Sequence, residues 1–170
     1  VEQTERHGVY IVGYTDGTFG PSRSMTRAEA AAIFARLLAE KNGDTISTAA
    51  NTKFADIPAH AWYSGYVKYL SNNGITYGKS KTVFAPNDAI TRAEFTTMAV
   101  RFFDVYGDGD AEIMEQFSGF NDVSSGYWAA EYIKYAALHG WINGYGDGSF
   151  HADREINRAE VVTIVNRLLG

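Results

Sequence analysis

Three arginines stand at equivalent places in this sequence, each one position after a residue suited to cap a helix. Arg27 and Arg92 are the second residues of two TRAE tetrapeptides, and Arg158 is the second residue of an NRAE. A cation in the first turn of a helix opposes the helix dipole, at a cost of about 0.3–1 kcal/mol where exposed. A guanidinium beside free backbone donors is, however, a good cradle for a carboxylate or phosphate. The pattern predicts anion binding; ion pairs within each repeat are the alternative.

Glycine-rich turns precede two of these arginines and form a second candidate site. They read Gly-Tyr-Thr-Asp-Gly at residues 13–17 and Gly-Tyr-Gly-Asp-Gly at residues 144–148. The Asp-Gly pair is typical of a tight turn with positive φ, which gives its glycine a structural use. The tyrosines are placed to face a ligand, and the leading glycines allow a ligand to approach closely. The candidate binding residues of these turns are Gly13, Tyr14, Asp16, Gly17, Gly144, Tyr145, Asp147 and Gly148.

The middle copy of this turn departs from the other two. Residues 78–84 read Gly-Lys-Ser-Lys-Thr-Val-Phe, without the Asp-Gly pair and with two lysines. We therefore expect the site lined by this block, with Arg92, to bind its ligand weakly or differently. Lys79 or Lys81 would assist there.

Two tryptophans are further candidates for ligand contact. Trp62 and Trp128 each open a segment with the apolar spacing of a helix. Packing in the core is the favoured role for such large side chains, and stacking against a ligand is the alternative.

The sequence carries no pattern typical of catalysis or metal binding. It has no cysteine, which excludes disulfides and thiolate metal sites. Its four histidines share no metal-site spacing, and the common hydrolase and P-loop motifs are absent. The aspartates at 104, 108 and 110 do not fit an EF-hand loop. We predict no catalytic residue, no metal and no cofactor, and an enzyme is the weaker hypothesis.

Composition limits the class of protein further. The chain has 170 residues, of which 45% are apolar and 14% aromatic, enough for a real core. Its formal net charge of -5 argues against a nucleic-acid binder and requires local cations to hold any anionic partner. Since no run of about 18 apolar residues occurs, we expect no membrane span. A chain that starts at Val1 suggests a removed leader or an excised piece.

The chain repeats with a period of 65 to 66 residues, which is the separation of the three arginines. A second motif, Phe-x-Asp followed by Trp, starts at Phe54 and again at Phe120. The first block lacks this half. Polar connectors cover residues 40–53 and 106–119, and the second has a predicted helical turn over 112–117. The predicted repeats span residues 1–45, 46–110 and 111–170.

Each repeat is predicted to contain a capped helix that follows a short extended segment. Thr or Asn before each arginine and Glu two positions after it match a capping box, with a hydrophobic staple around it. A second class of helix runs from about 62 to 73 and from about 128 to 139, ending at Gly74 and Gly140. The fold class is therefore mainly α with short extended segments. Because one repeat cannot bury its apolar stripe alone, we expect three repeats to pack around a pseudo-threefold axis.

These motifs together resemble tandem S-layer homology domains. The resemblance rests on GYTDGTFGP with MTRAE, on VFAPNDAITRAE, and on the segment from FNDVSSGYW to INRAE. It implies a three-pronged fold with central TRAE helices, and grooves between repeats. It also implies noncovalent, extracellular anchoring of a bacterial surface protein to the cell wall. The implied ligand is a secondary cell wall polysaccharide, linked to peptidoglycan and bearing pyruvylated N-acetylmannosamine.

The resemblance assigns roles to residues already singled out. Arg27, Arg92 and Arg158 would contact the anionic group, and the glycine-tyrosine turns would line the grooves. It also allows for self-association in an S-layer. The half that the first block lacks leaves the threefold incomplete unless residues outside the chain supply it. Two other functions stay open: a protein–protein interaction domain with internally paired arginines, and a wall-associated glycoside hydrolase.

Overall fold

The computed structural model of the protein describes residues 9–106 and 117–170. Within these ranges extended backbone forms only isolated bridges, so the predicted class, mainly α with short extended segments, is confirmed. The aspartates at 108 and 110, and most of the helical turn predicted over 112–117, lie outside the described residues. The described helices are α1 (Arg27–Asn42), α2 (Ser64–Asn72), α3 (Arg92–Tyr106), α4 (Ala130–Leu138) and α5 (Arg158–Leu169).

The chain divides into two compact units. The first comprises Arg27–Asn87 and the described residues up to Gly20, and in it α1 packs against α2. The second comprises Pro21–Thr26 and the described residues from Asp88 onward, and in it α3 packs against α4 and α5. The pairing therefore joins the TRAE helix of one repeat to the shorter helix of the next. The repeat boundaries at 45/46 and 110/111 stay a prediction.

The capped starts of α3 and α5 follow directly from their sequences. The Thr91 hydroxyl accepts a hydrogen bond from the Glu94 N–H at 3.2 Å, and the Glu94 carboxylate accepts one from the Thr91 N–H at 3.0 Å. Asn157 and Glu160 exchange the same pair of bonds at 2.9 and 3.0 Å. Two backbone donors that the helix leaves unpaired are thus satisfied at each start. Of the three predicted capping boxes, those of α3 and α5 are confirmed, and that of Thr26 and Glu29 stays a prediction.

The shorter helices begin later than predicted. α2 starts at Ser64 and α4 at Ala130, two residues after the tryptophans, and neither start has a side-chain cap. Their ends agree with the prediction, because Gly74 and Gly140 have φ of 74° and 69° just past the last turn. A left-handed residue at this position is the usual end of a helix, and glycine adopts it without strain.

A ring of three backbone hydrogen bonds lies in the second unit. Met25 N–H donates to Ile156 O at 3.1 Å, Ile156 N–H to Ile90 O at 3.0 Å, and Ile90 N–H to Met25 O at 2.8 Å. These are the residues immediately before the three capping positions, and all three side chains are fully buried. Each segment thus donates to one neighbour and accepts from the other. The segments that lead into the TRAE helices therefore have threefold symmetry, while the three-pronged shape of the whole chain stays a prediction.

A carboxylate in each Phe-x-Asp motif fixes the turn that follows 28 residues later. Asp56 accepts hydrogen bonds from the N–H groups of Phe84 and Ala85 at 2.9 and 2.6 Å. Asp122 does the same for Phe150 and His151 at 2.7 and 2.8 Å. Burial alone raises the pKa of both carboxyls, but these bonds lower it more, so both carboxyls have lowered pKa values. The two motifs therefore hold the two turns by the same contact.

Candidate functional site

The three predicted arginines are all buried. Arg27, Arg92 and Arg158 are 4%, 5% and 2% exposed, although each is the first residue of its helix. The expectation that free backbone donors lie beside them is wrong for α3 and α5. In α3 the first two N–H groups donate to Arg154 O and Ala152 O, and in α5 they donate to Arg23 O and Pro21 O. Neighbouring carbonyls fill the cradle that we expected an anion to occupy.

Hydrogen bonds and aromatic rings surround Arg92 within the second unit. Its Nε donates to Phe150 O at 2.9 Å and its Nη1 to Glu160 Oε1 at 3.0 Å. Its guanidinium carbon lies 4.5 Å from the centroid of the Phe150 ring and 5.1 Å from that of Tyr145. Burial lowers the pKa of Arg92, and the electrostatic contributions of Tyr145 and Glu160 offset part of that effect. Ring faces and hydrogen bonds thus replace the water that a buried cation loses.

A cleft of about 310 Å³ opens beside this arginine. Helix α5 and the segment from Trp141 to Asn143 line it, together with Arg92 and Tyr145. Tyr145 is 38% exposed, and its ring contacts the guanidiniums of Arg92 and Arg154 and the ring of His151. The cleft residues from α5 and its capping position are Asn157, Ala159, Glu160, Thr163, Ile164 and Arg167.

Glu160 connects the polar groups at the Arg92 end of the cleft. Its Oε1 accepts hydrogen bonds from Arg92, from the Tyr145 hydroxyl at 3.1 Å and from Arg154. Burial alone raises the pKa of Glu160, but the Asn157 N–H and the two arginines lower it more. Two guanidiniums therefore face one carboxylate, and this group of three side chains carries a net positive charge. The alternative of internal pairing holds here in part: Arg92 pairs with a glutamate, but one from the following repeat.

Arg27 occupies a related site in the first unit. Its Nε donates to Phe84 O at 2.7 Å, and its guanidinium carbon lies 5.0 Å from the centroid of the Phe84 ring. Lys79 occupies the position in its turn that Tyr145 occupies in the turn beside Arg92. The matching backbone bonds show this: Lys79 N–H donates to Val83 O and Tyr145 N–H to Ser149 O, each at 2.8 Å. The altered turn therefore accompanies Arg27. Our assignment of that turn to the site of Arg92 is wrong.

Arg27 and Arg92 each contact the turn of the following repeat because their helices pack against that repeat. Arg27 reaches residue 84 and Arg92 reaches residue 150, separations of 57 and 58 residues. Within one block the arginine follows its own turn by only eight residues, which made that turn the obvious partner. Proximity in sequence was therefore the wrong guide.

The glycines and aspartates of the two Gly-Tyr-x-Asp-Gly turns stabilise the conformation of the turns themselves. Gly17 and Gly148 have φ of 80° and 81°, which confirms their structural use. Asp147 Oδ1 accepts hydrogen bonds from the Ser149 N–H and hydroxyl at 3.0 and 2.6 Å. Asp16 binds Thr18 in the same way at 2.9 and 2.7 Å. The hydrogen bonds from Ser149 lower the pKa of Asp147.

Gly144 is required by the protein's own packing. A Cβ there would lie 2.4 Å from the Phe120 ring and 2.7 Å from Ser149 O. A Cβ on Gly13 would meet only the Thr18 carbonyl, with its oxygen at 3.2 Å. The space that we expected a ligand to use above Gly144 is thus filled by Phe120.

Comparison with known sequences settles the family. The sequence model of the S-layer homology domain matches residues 1–31, 53–96 and 119–162, more than half of the chain. The chain belongs to the S-layer homology domain family. The predicted resemblance, with three copies of the domain in tandem, is confirmed.

Three relatives show how this S-layer homology chain relates to longer proteins. It is 36% identical over 96% of its length to Cell surface glycoprotein 1 of Acetivibrio thermocellus, and covers 7% of that protein. It is 33% identical over 98% of its length to the Cellulosome-anchoring protein of the same organism, and covers 36% of it. It is 33% identical over 94% of its length to Exoglucanase XynX of Acetivibrio thermocellus, and covers 14% of it. The chain thus spans a minor part of each relative.

The two tryptophans of this S-layer homology chain are not core residues. Trp62 and Trp128 are 54% and 57% exposed, so the favoured core role is wrong. Their rings contact other aromatic rings at the start of the shorter helices: Trp62 lies 5.3 Å from Tyr63, and Trp128 lies 5.8 Å from Tyr127. Neither lines the cleft beside Arg92. Stacking against a ligand stays a prediction for both.

Two residues of the polar group around Arg92 had no place among the predicted site residues. Glu160 carried a signal in the sequence, but only as the third residue of a capping box. Arg154 carried none, because a positive charge does not recur at its position: the equivalent residues in the other repeats are Arg23 and Asp88. In the described ranges there is no group of three histidine, aspartate or glutamate side chains that would hold a metal ion. No helix in those ranges is long and apolar enough to cross a membrane.

Proposed function

We propose that this chain attaches a longer surface protein noncovalently to the bacterial cell wall by binding an anionic wall polysaccharide. The observation that carries the proposal is the cleft beside Arg92. Two arginines face a single carboxylate there, and the ring of Tyr145 is exposed next to them. A sugar ring can pack on that aromatic surface while the excess positive charge holds its anionic group. The name of the Cellulosome-anchoring protein supports this role, and with it an extracellular location at the wall.

The ligand that we propose is a polymer with pyruvylated N-acetylmannosamine. In a pyruvate ketal one carbon bridges two oxygens of the sugar and bears the carboxylate, so one residue presents both an apolar ring face and a planar anion. Arginine binds a carboxylate through two parallel hydrogen bonds, and that geometry selects carboxylate over a neutral acetyl group. Arg154, whose side chain is 42% exposed, is the accessible donor, and the buried Arg92 shares the Glu160 carboxylate with it. The net charge of -5 makes nucleic acid a poor alternative.

Repetition of a weak binding site raises the avidity of the whole chain. Arg27 makes the same carbonyl and ring contacts as Arg92, on a second copy of the turn. Two sites in one chain that bind a polymer with repeated epitopes raise overall avidity by about 10²–10⁴ without any new contact. We propose that these sites share the attachment. Arg158, buried at the start of α5, is the third proposed contact.

We propose that this chain has no catalytic activity of its own. In the relative named as an exoglucanase it corresponds to 14% of the length, which leaves the larger part for catalysis. A chain that only binds explains why the arginine and turn recur while no acid–base pair does. Self-association in an S-layer stays a separate prediction.

Binding to purified wall polymer tests the proposal. We expect the chain to bind pyruvylated polymer and to lose at least tenfold in affinity for polymer from which the ketal has been removed by mild acid. Arg92→Gln should cost a similar factor, because it removes a charge-assisted contact of about 1.5–3 kcal/mol. The matched control is Arg101→Gln on the same helix, where the guanidinium packs on Tyr132 outside the cleft.

Circular dichroism confirms that both variants are folded before affinities are compared. Equal affinity for the two polymers would contradict the proposed ligand. Unchanged binding by a folded Arg92→Gln variant would contradict the proposed site. Release of reducing ends from wall preparations by the chain would contradict the absence of catalysis.

A further inference from the structure

The ring nitrogens of His139 are buried among three aromatic rings. The imidazole centroid lies 4.2 Å from the ring centroid of Tyr135, 5.0 Å from that of Trp141 and 6.1 Å from that of Phe103. Within residues 9–106 and 117–170, neither Nδ1 nor Nε2 has a hydrogen-bond partner. Buried polar atoms are nearly always paired, so two unpaired nitrogens on one ring require an explanation.

The first unit solves the same position differently. Asn73 ends α2 as His139 ends α4, and in both residues the backbone N–H donates to the carbonyl four residues earlier. The Asn73 side chain is paired, because its Nδ2 donates to Tyr69 O at 2.9 Å. Two residues further on, the first unit has Ile75 where the second has Trp141. A paired amide thus takes the place of the unpaired imidazole.

Trp141 connects His139 to the cleft beside Arg92. The indole is stacked on the imidazole with an angle of 23° between the ring planes, and Trp141 is only 3% exposed. Trp141 lines the cleft together with Ile142 and Asn143. The Asn143 carbonyl also accepts a hydrogen bond from Arg92 Nη2 at 3.4 Å. His139 therefore supports the segment that lines the cleft, although it does not line the cleft itself.

Protonation of this imidazole adds a charge and a second donor in a place that offers no acceptor. A neutral imidazole has one N–H group, whereas an imidazolium has two. Ring faces attract a cation and so favour the charged form, while burial disfavours it. Burial lowers the pKa of His139 from its usual value of 6.5, so the second effect outweighs the first. The ring cluster is therefore most stable with a neutral imidazole.

Three other ionisable groups lie around the cluster. Burial raises the pKa of Tyr135, and the charge of Asp104 on α3 raises it further, so Tyr135 stays neutral near pH 7. Burial also raises the pKa of Asp104. Arg167 on α5 lines the cleft with Trp141. In the part of the chain that the structure describes, none of these groups hydrogen-bonds to His139, so none supplies the imidazolium with an acceptor.

We propose that His139 is a positioning residue that makes the cleft beside Arg92 sensitive to pH, so that the chain holds its wall polymer less firmly in mildly acidic surroundings. Neutral His139 keeps Trp141 packed against Phe103 on α3, whose ring centroid is 4.6 Å away. Charged His139 turns toward water, and residues 141–143 lose that support. The weaker hold on polymer rests on the proposed function, whereas the loosening of the cleft concerns the chain alone.

Thermal unfolding at two pH values tests the loosening. Because the pKa of His139 is lower in the folded chain than in the unfolded one, its contribution to stability is complete above about pH 6.5 and is lost as the pH falls toward the folded pKa. From about pH 7.5 to about pH 5, we expect the Tm of the unmodified chain to fall by about 3 °C more than that of His139→Phe or His139→Asn.

The two variants control for different effects. His139→Phe keeps a ring in the cluster without a titrating group, and His139→Asn supplies the residue of the first unit. The carboxyl groups of the chain titrate in all three proteins, so the difference in Tm isolates His139.

Hydrogen exchange locates the change within the chain. Trp141 N–H donates to Ala136 O and Ile75 N–H donates to Leu70 O, each at 2.9 Å, so the two units offer matched probes. At about pH 5 we expect the protection factor of Trp141 to fall about fivefold in the unmodified chain and to stay constant in His139→Phe. The protection factor of Ile75 should stay constant in both proteins.

Polymer binding at the same two pH values separates this inference from the proposed function. The pKa of Glu160 is lowered, and a free carboxyl ionises above about pH 4, so the charges at the Arg92 end of the cleft and on the polymer persist at pH 5. We expect the unmodified chain to lose about threefold in affinity for pyruvylated polymer and His139→Phe to lose none. Absence of binding at neutral pH would overturn the proposed function, and Tm and exchange would still decide whether the cleft loosens.

Three results would overturn the inference. A His139 pKa of 6.5 or higher, measured by NMR titration of the ring protons, would mean that the aromatic rings stabilise the charged form. An equal change in Tm for the unmodified chain and both variants would mean that protonation of His139 does not loosen the fold. A threefold loss of affinity in His139→Phe as well would assign the pH dependence of binding to another group.

Discussion

The sites of Arg27 and Arg92 share a framework and differ at their rims. In both, Nε donates to a phenylalanine carbonyl, at 2.7 and 2.9 Å, and the guanidinium packs on that phenylalanine's ring. In both, an aspartate 28 residues earlier holds the turn. At the equivalent position of the two turns stand Lys79 and Tyr145, both exposed, and Tyr145 lies beside Arg92. The framework is thus repeated, while the exposed residue of the turn varies.

This difference indicates how two sites in one chain acquire separate preferences. A lysine ammonium is a strongly hydrated point charge on a flexible stem, and it attracts an anion from any direction. A tyrosine offers a flat apolar face with a hydroxyl at its edge, and Tyr145 also donates to Glu160 at 3.1 Å. We expect the Arg92 site to select by shape and the Arg27 site to select by charge.

The largest effect should come from the aspartates that hold the two turns. Asp56→Ala and Asp122→Ala each leave two backbone N–H groups without their acceptor, so we expect each to lower the free energy of unfolding by about 2 kcal/mol. Urea denaturation measures this loss. Asp122→Ala should also weaken polymer binding more than Asp56→Ala does, if the Arg92 site has the higher affinity.

Asparagine at either position provides the control. Asp56→Asn and Asp122→Asn keep one acceptor oxygen and should recover about half of the lost stability. If both alanine variants lost less than about 0.5 kcal/mol in free energy of unfolding, the turns would be stable without the aspartates. The shared framework would then need another explanation.

An exchange of the two rim residues should have an intermediate effect. Tyr145→Lys gives the Arg92 site the rim of the Arg27 site, and Lys79→Tyr does the reverse. Since an aromatic contact to a desolvated cation or sugar contributes about 1 kcal/mol, we expect a fivefold loss of polymer affinity in the first variant. Titration calorimetry with a pyruvylated monosaccharide measures it.

Tyr145→Phe separates the ring from the hydroxyl. This variant keeps the aromatic face but loses the hydrogen bond to Glu160. Affinity close to that of the unmodified chain would assign the selectivity to the ring. An affinity as low as that of Tyr145→Lys would assign it to the hydroxyl, and the contrast between shape and charge would be wrong.

The smallest effect concerns the residue after each phenylalanine. Gly20, Ala85 and His151 all have positive φ, of 60°, 58° and 54°. Left-handed backbone costs a non-glycine residue about 1–2 kcal/mol, while glycine adds about 0.5–1 kcal/mol of chain entropy. Ala85→Gly should therefore raise the free energy of unfolding by about 0.5 kcal/mol, measurable by urea denaturation.

His151→Gly should gain less than Ala85→Gly. The His151 ring packs 4.8 Å from the Tyr145 ring and lies within hydrogen-bonding distance of the Ser149 hydroxyl, so its removal sacrifices contacts. If His151→Gly stabilised the chain more than Ala85→Gly, the two turns would not be equivalent.

Much of the local structure could be predicted from the sequence. The capping boxes at Thr91 and Asn157 were read from four residues each, because a helix start depends on bonds within one turn. The ends of α2 and α4 at Gly74 and Gly140 were predictable for the same reason. The exposure of Trp62 was not, because an apolar spacing shows that a helix has a buried face without showing which neighbour covers it.

The candidate site was predictable residue by residue and not as an arrangement. The sequence determined that Arg27, Arg92 and Arg158 are special, since three copies at constant spacing in an unfavourable position require a use. Only the tertiary structure decided that each of the first two reaches the turn of the next repeat, and that Glu160 lies opposite Arg92. Spacing within a repeat fixes helices and turns through short-range bonds. The contacts between repeats depend on which buried faces meet, and that is a property of the packed molecule.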